Sequence, residues 1–384
     1  MVTNIPGSRA LALRQNRPVS RRVRRMLLIV LLLCAAAGYV AVDHNDAWYT
    51  DTIAVVLDVQ TAHTETQSGV SAGEENYFVQ TITARLTNGA RAGETIRLSN
   101  QYTDSGVRDE RYRVGDKLFV EPGGEGEIGK IVGQKRDTLV YLLAAALLGG
   151  MLAAAGVSGL LAVLSLLCNM ALLYAALRCY QSGWNLLALT GALIFLFTAL
   201  SLLIANGWNR RAALAIAASL LAIAVTAALF LAVRACTPAL QYQMMEYAVV
   251  PDDLSALFFC ECMVGGLGAV MDVAISLIST ADELLTRQPD IPYHRLRDSV
   301  RAVSDDIMGT MVNVLFFTYI CGGLPEILLM LRNQLTVSVV WEYVLTFELV
   351  RFLVGSIGLV LAVPSSQLVL KLWLRRQRGE ARHG

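Results

Sequence analysis

The sequence predicts a polytopic α-helical membrane protein of about eight transmembrane helices, with a small β-rich, OB-like domain between the first and the second. Three observations predict it. The 384 residues are 55% hydrophobic and only 16% charged, where a soluble domain carries about 25% charged residues. Apolar runs near the ~20 residues that span a bilayer recur from Met26 to the C-terminus, and mean hydropathy is +0.51. Between Asp43 and Arg136 the pattern changes to short strands bounded by turn signals. Net charge is +1, so nothing points to a nucleic-acid partner.

Residues 1–25 form a basic tail that includes Arg14, Arg17, Arg21, Arg22, Arg24 and Arg25. A basic region before an apolar core also describes a signal peptide. The apolar run continues through Val42, which favours an uncleaved first helix over 26–42 with a cytoplasmic N-terminus. Residues 43–136 then lie outside. Thr52–Val59, Tyr77–Leu86, Glu94–Leu98 and Lys117–Glu121 read as strands, and Asn88-Gly89 is a hairpin signal. That density of short strands suggests a small barrel. His44 and His63 are its histidines, and none of the seven cysteines lies in it. No metal, cofactor or disulfide framework is therefore expected there.

Residues 137–374 read as a seven-helix membrane domain, with spans near 138–155, 157–177, 184–205, 211–234, 254–278, 306–330 and 345–373. Arg210 and Arg211, a hinge over 279–303 and a basic tail at 375–384 fall on the same, cytoplasmic side. Gly149, Gly150 and Gly156 could mark a bend or a re-entrant pair in the 138–177 segment. They, Ala217 and Ala218 also permit close helix packing. No internal repeat of the kind found in many transporters is visible.

The polar residues of 254–330 stand out. Glu261, Gly265, Gly268 and Asp272 fall at i, i+4, i+7 and i+11, one stripe of a helix. Ser304 is a candidate N-cap, and Asp306, Thr310 and Asn313 share a face after it. Gly322, Gly323 and Pro325 are expected to end that helix. A carboxylate at membrane depth survives only when it meets a partner or a water-filled cavity. Bland alternatives exist for each acid. Glu261 could pair with Arg351, Glu348 with the same arginine at i, i+3, and Asp272 with headgroups or Arg301. Cys260-Glu261-Cys262 resembles a metal clip, but i and i+2 point about 200° apart on a helix.

The motifs Gly265-Gly-Leu-Gly-Ala-Val-Met-Asp272, Ser279-Thr-Ala-Asp-Glu283, Ser304-Asp-Asp-Ile-Met-Gly-Thr-Met-Val-Asn313 and Gly322-Gly-Leu-Pro325 together resemble the YibE/F family of bacterial multi-pass membrane proteins. The chain departs from the expected pattern at Asp305, where a basic residue is more usual, and at Val314, where a small hydroxyl residue is. The resemblance implies a bacterial plasma-membrane location and the architecture rather than an activity.

Two functions compete. One is a transporter or permease for an ion or small solute, through a polar seam between 254–278 and 306–330, with Asp272 and Asp306 facing each other near the cytoplasmic end. The other is a non-catalytic scaffold or signalling partner whose outer domain docks another protein. An enzyme is not expected. The chain has no Walker, Rossmann, nucleophile-elbow or zinc-helix motif. Gly266-Leu-Gly-Ala269 lacks the acid that intramembrane aspartyl proteases carry in Gly-x-Gly-Asp.

Overall fold

A computed structural model describes residues 33–68, 74–104, 106, 109–124, 128–237 and 253–383. The basic tail at 1–25 and the first part of the first helix lie outside these residues. The chain divides into two compact units, 1–160 and 161–384.

In the first unit, helix α1 (Leu33–Asp43) precedes a 3₁₀ turn at Asp46–Trp48. Five strands follow: β1 (Ile53–Ser68), β2 (Glu74–Leu86), β3 (Thr95–Thr103), β4 (Lys117–Glu121) and β5 (Lys130–Gln134). They pair antiparallel in the order β3-β2-β1-β4-β5. A parallel bridge from Leu98 to Gly129 brings β3 towards β5 and makes the sheet barrel-like. Alternation fills the inside with Ala54, Val56, Ile82, Ala84, Leu86, Ile96, Leu98 and Leu118. The β1–β2 arm reaches beyond this core, and residues 61–66 are all exposed. Asn88 is buried. Its Oδ1 accepts from the Ile53 amide at 2.7 Å and its Nδ2 donates to the Asp46, Tyr49 and Asp51 carbonyls, while Gly89 takes φ +80°.

The base of the barrel is tied by one lysine. Lys135, whose side chain is 1% exposed, reaches Asp46 Oδ1 at 2.7 Å and Asp137 Oδ2 at 3.4 Å. It also donates to Asn45 Oδ1 at 2.6 Å, and Tyr49 donates to Asp137 at 3.1 Å. Burial pushes the Asp46 carboxyl up, but hydrogen bonds and charge from Lys135 and Lys117 hold it below the usual carboxylate range. Burial likewise opposes the Lys135 charge, and its bonds to Asp46 and Asp137 raise its pKa above the ordinary value.

Helix α2 (Asp137–Ala155) runs into α3 (Val157–Gln181) through Gly156, at φ +58°. A methyl group at Gly159 would collide with the Met151 carbonyl, so the chain bends sharply there. Gly156 thus marks the bend, whereas Gly149 and Gly150 lie inside α2. Helices α4 (Leu186–Asn206) and α5 (Arg210–Cys236) follow, each N-capped by an asparagine, Asn185 and Asn209. Helix α6 (Leu254–Gly265) meets α7 (Leu267–Arg287) at Gly266, and α8 spans Tyr293–Arg332. A single turn, α9 (Val337–Val340), leads through a π-helical turn at Trp341–Leu345 into α10 (Thr346–His383). Seven helical stretches among the described residues are long and apolar enough to cross a membrane. The described part of the first helix, Leu33–Asp43, is shorter than a span.

The second unit is built on α5, α7 and α10. Ala215, Ala218, Ser219 and Ala222 on α5 are buried, and a methyl group at Gly358 on α10 would lie 3.3 Å from both Thr226 of α5 and Val270 of α7. Small residues let the three backbones approach; of the two alanines singled out in the sequence, Ala218 is buried and Ala217 exposed.

Three expectations are corrected. The hinge over 279–303 is helical except for 288–292, because α7 and α8 continue as polar helix beyond their apolar parts. Ser304 is inside α8, not at its N-cap, and its hydroxyl donates to the Arg301 carbonyl at 2.7 Å. Gly322, Gly323 and Pro325 do not end a helix: α8 continues to Arg332 with Pro325 inside it.

Candidate functional site

Asp253 caps α6 by accepting from the Ser255 and Ala256 amides, each at 3.0 Å. Two turns on, Glu261 projects from the helix. Its Oε2 lies 3.0 Å from Arg351 Nη2, and Arg351 Nη1 donates to Glu348 Oε1 at 2.5 Å. Both pairings read from the sequence are thus made at once, by one arginine. The three side chains differ in exposure: Glu261 46%, Arg351 13% and Glu348 11%. Phe258, fully buried, carries the guanidinium on its ring face at 5.6 Å and packs edge-on against Phe347 at 5.5 Å.

This cluster lines a cavity of about 490 Å³ together with Cys260, Glu326, Tyr343 and Val344. Three carboxylates and one guanidinium share its wall. The π-helical turn contributes Tyr343 and Val344. Such turns insert one extra residue and often sit at functional sites. Thr346 steadies this one by donating to the Trp341 carbonyl at 2.7 Å. Gly323 lets α8 close on it: a methyl group there would lie 3.1 Å from both Glu348 Cγ and Val344 Cγ1. The role of Gly323 is close approach rather than helix breaking, whereas Gly322 has open space around it.

The stripe on α6 and α7 keeps its period across Gly266. Glu261, Gly265, Gly268 and Asp272 are all exposed. Only Glu261 acquires a charged partner. Gly265 is filled by Tyr319 of α8, whose hydroxyl a methyl group would strike. Asp272 has no hydrogen bond or ion pair among the described residues, with Arg301 or otherwise. On α8, Asp306, Thr310 and Asn313 are exposed too. Thr310 and Asn313 bond their own helix, to the Ile307 and Gly309 carbonyls at 2.8 and 3.0 Å. Cys260 and Cys262 are both buried and free. No group of three or more histidine, cysteine or acidic side chains among the described residues is arranged to hold a metal.

Glu326, Tyr343 and Tyr319 were not singled out in the sequence. The signal for Tyr319 was weak, one polar-tipped ring in an apolar run. Glu326 follows a proline that reads as a loop.

A family model for the YibE/F-like protein matches residues 143–376, and one for the YibE/F family N-terminal domain matches residues 47–134. No curated protein and no solved structure matches the chain. The chain belongs to the YibE/F family.

Proposed function

We propose that this YibE/F family member is a permease for an ion or small solute, and that the cavity around Arg351 is the outward end of a polar seam between residues 254–278 and 306–330. The observation that supports it is the Glu261–Arg351–Glu348 cluster open to a cavity of about 490 Å³. Charged side chains at membrane depth persist where they are paired or face water, and this cluster does both. Its surplus of carboxylate favours a cation. In this reading both termini are cytoplasmic in a bacterial plasma membrane, the β domain is outside, and the protein is not an enzyme. Asp272, Asp306, Thr310 and Asn313 continue the seam inward.

Proteoliposomes test it with rubidium-86 uptake and an internal pH dye. Glu261→Gln should lower flux at least tenfold while insertion and monodispersity stay at wild-type level. Equal flux in wild type and Glu261→Gln would end the reading. The exposed β1 segment at residues 61–66 favours the second reading, a scaffold that docks a protein partner. Replacing Thr61, Thr64 and Glu65 by alanine would then abolish partner crosslinking and leave flux untouched.

A further inference from the structure

Helices α8 and α10 each carry a run of nineteen residues without a charged side chain. The runs are 307–325 on α8, between Asp306 and Glu326, and 352–370 on α10, between Arg351 and Lys371. At ~1.5 Å per residue either run covers about 28 Å, close to the ~30 Å hydrocarbon thickness. The two helices lie side by side, with Phe316 and Phe352 in edge contact at 5.4 Å. At the end marked by Asp306 and Lys371, a cavity of about 270 Å³ opens between them. Arg301 and Asp305 line it from just outside the α8 run, and Val360, Pro364 and Gln367 line it from within the α10 run. The cavity therefore straddles the depth at which lipid headgroups give way to acyl chains. Tryptophan and tyrosine gather at that depth. Here Trp373 carries the Arg210 guanidinium on its ring face at 5.6 Å, and Tyr293 donates to the Gln367 carbonyl at 3.2 Å.

The polar groups of the lining are not engaged with one another. Arg301 and Asp305 stand at i, i+4, where opposite charges on a helix can pair, though with the cation first the orientation is the weaker one. Both are exposed, and neither side chain has a hydrogen bond or ion pair among the described residues. Pro364 lies inside α10 and has no amide hydrogen to give the Val360 carbonyl four residues back. The wall thus offers a guanidinium, a carboxylate and an open carbonyl. Its volume falls below the ~300–1,000 Å³ of sites for drug-sized ligands, which suits a small headgroup. From it Val360, Ile357 and Leu353 form an exposed apolar track along one face of α10.

A guanidinium holds phosphate oxygens through paired N–H donors. A carboxylate and a carbonyl accept from a primary ammonium, which has three donors. Phosphoethanolamine joins a phosphate to such an ammonium through two methylene carbons, a short link that matches Cβ atoms about 5–6 Å apart at i, i+4. A phosphoglycerol headgroup has no cation for Asp305, and a quaternary choline has no N–H to donate.

We infer that this cavity is a binding site for phosphatidylethanolamine: the phosphate on Arg301, the ammonium on Asp305 and the Val360 carbonyl, and one acyl chain along Val360, Ile357 and Leu353. Such a site serves a permease and a scaffold alike.

Native mass spectrometry of the full-length chain in a non-ionic detergent tests it, with dioctanoyl phosphatidylethanolamine, phosphatidylglycerol and phosphatidylcholine titrated in turn. The wild type should bind its first phosphatidylethanolamine at least fivefold more tightly than either other lipid. Asp305→Asn should erase that preference, Asp305→Glu should keep it, and Asp305→Arg should reverse it in favour of phosphatidylglycerol. Arg301→Gln should weaken phosphatidylethanolamine at least fivefold. Glycerophosphoethanolamine, the headgroup without chains, distinguishes a lipid from a soluble phosphoamine, and a tenfold excess of it should leave the lipid bound. Displacement at equal concentration would assign the site to a soluble phosphoamine and overturn the lipid. Equal affinity of the wild type for the three lipids, or a preference that Asp305→Asn leaves unchanged, overturns the site. The wild-type ranking stands even where a variant does not fold. No flux is read, so neither result bears on the permease.

Discussion

Lys135 and Arg351 each sit between two carboxylates, and each has an aromatic ring within 6 Å, Tyr49 and Phe258 at 5.5 and 5.6 Å. Their surroundings differ. Lys135 is enclosed, at 1% exposure, by Asp46, Asp137 and Asn45, and every one of these holds a turn or helix start at the base of the barrel. Arg351 faces a cavity of about 490 Å³, and one of its carboxylates, Glu261, is nearly half exposed. The same chemistry thus serves two ends. A triad closed around its cation fixes backbone, because water cannot reach Lys135 itself, although Asp46 and Asp137 stay 14% and 22% exposed. An open one leaves a carboxylate that a ligand can reach, and its arginine can be shared or released. Identity of residue does not separate the two cases; closure does.

Breaking the closed triad should have the largest effect. Lys135→Met leaves Asp46 and Asp137 without their buried partner, a loss of about 3 kcal/mol or more. The thermal midpoint of the β domain, followed by near-ultraviolet circular dichroism in detergent, should fall by several degrees. Removing Asp46 as well should recover part of the loss, since replacing a whole buried network is far less costly than halving it. A lysine variant as stable as wild type would remove the contrast drawn here.

The open triad should respond less in stability. Arg351→Met should cost roughly 2 kcal/mol, the range for lost hydrogen bonds to charged groups, because water entering the cavity can solvate Glu261. Arg351→Lys should recover most of that stability. It should not recover a bidentate hold on both glutamates, since an ammonium lacks the planar fork. A stability loss as large as that of Lys135→Met would mean that Arg351 is as structural as the lysine.

Much of the fold was legible. The spans 138–155, 184–205 and 211–234 match α2, α4 and α5 within two residues, because their Ala, Leu and Ile runs are bounded by asparagine, glycine and arginine that start or stop a helix. Lys117–Glu121 is β4 to the residue. The helical character of 279–303 was not legible, because hydropathy falls there whereas α7 and α8 remain helical, for instance at Arg287 and Tyr293. Pro325 was misread because a membrane helix tolerates a proline that a soluble one would not. Strand β5, short and containing Gly133, gave no alternation to see. For the site, each salt bridge of Arg351 could be drawn from the sequence alone. Their coexistence could not, nor could the cavity, which needs Glu326 and the π-helical turn at Trp341–Leu345. Nothing in the residues announces that a helix will take one extra residue per turn there.

The smallest expected effect sharpens the closed triad through pH. Asp46 has its folded pKa below the ordinary value, so it contributes stability above the unfolded value, near 3.9, and that contribution is lost as pH falls through the lower folded value. Lys135 has its folded pKa raised, so its contribution is complete below about 10.4 and is lost as pH rises through the higher folded value. Tyr49 is also raised, by burial first and then by its bond to Asp137, and adds to the same alkaline loss. The thermal midpoint of the β domain should therefore be flat from about pH 5 to 9 and fall at both ends. Asp46→Asn should flatten the acid limb, because the group that titrates there is gone. It should also weaken the alkaline limb, because Lys135 loses the carboxylate that holds its proton most strongly. Thermal melts of the wild type and Asp46→Asn at pH 3.5, 7 and 10.5 decide it. An acid limb that survives in Asp46→Asn would assign it to other carboxylates and take Asp46 out of the triad's energetics.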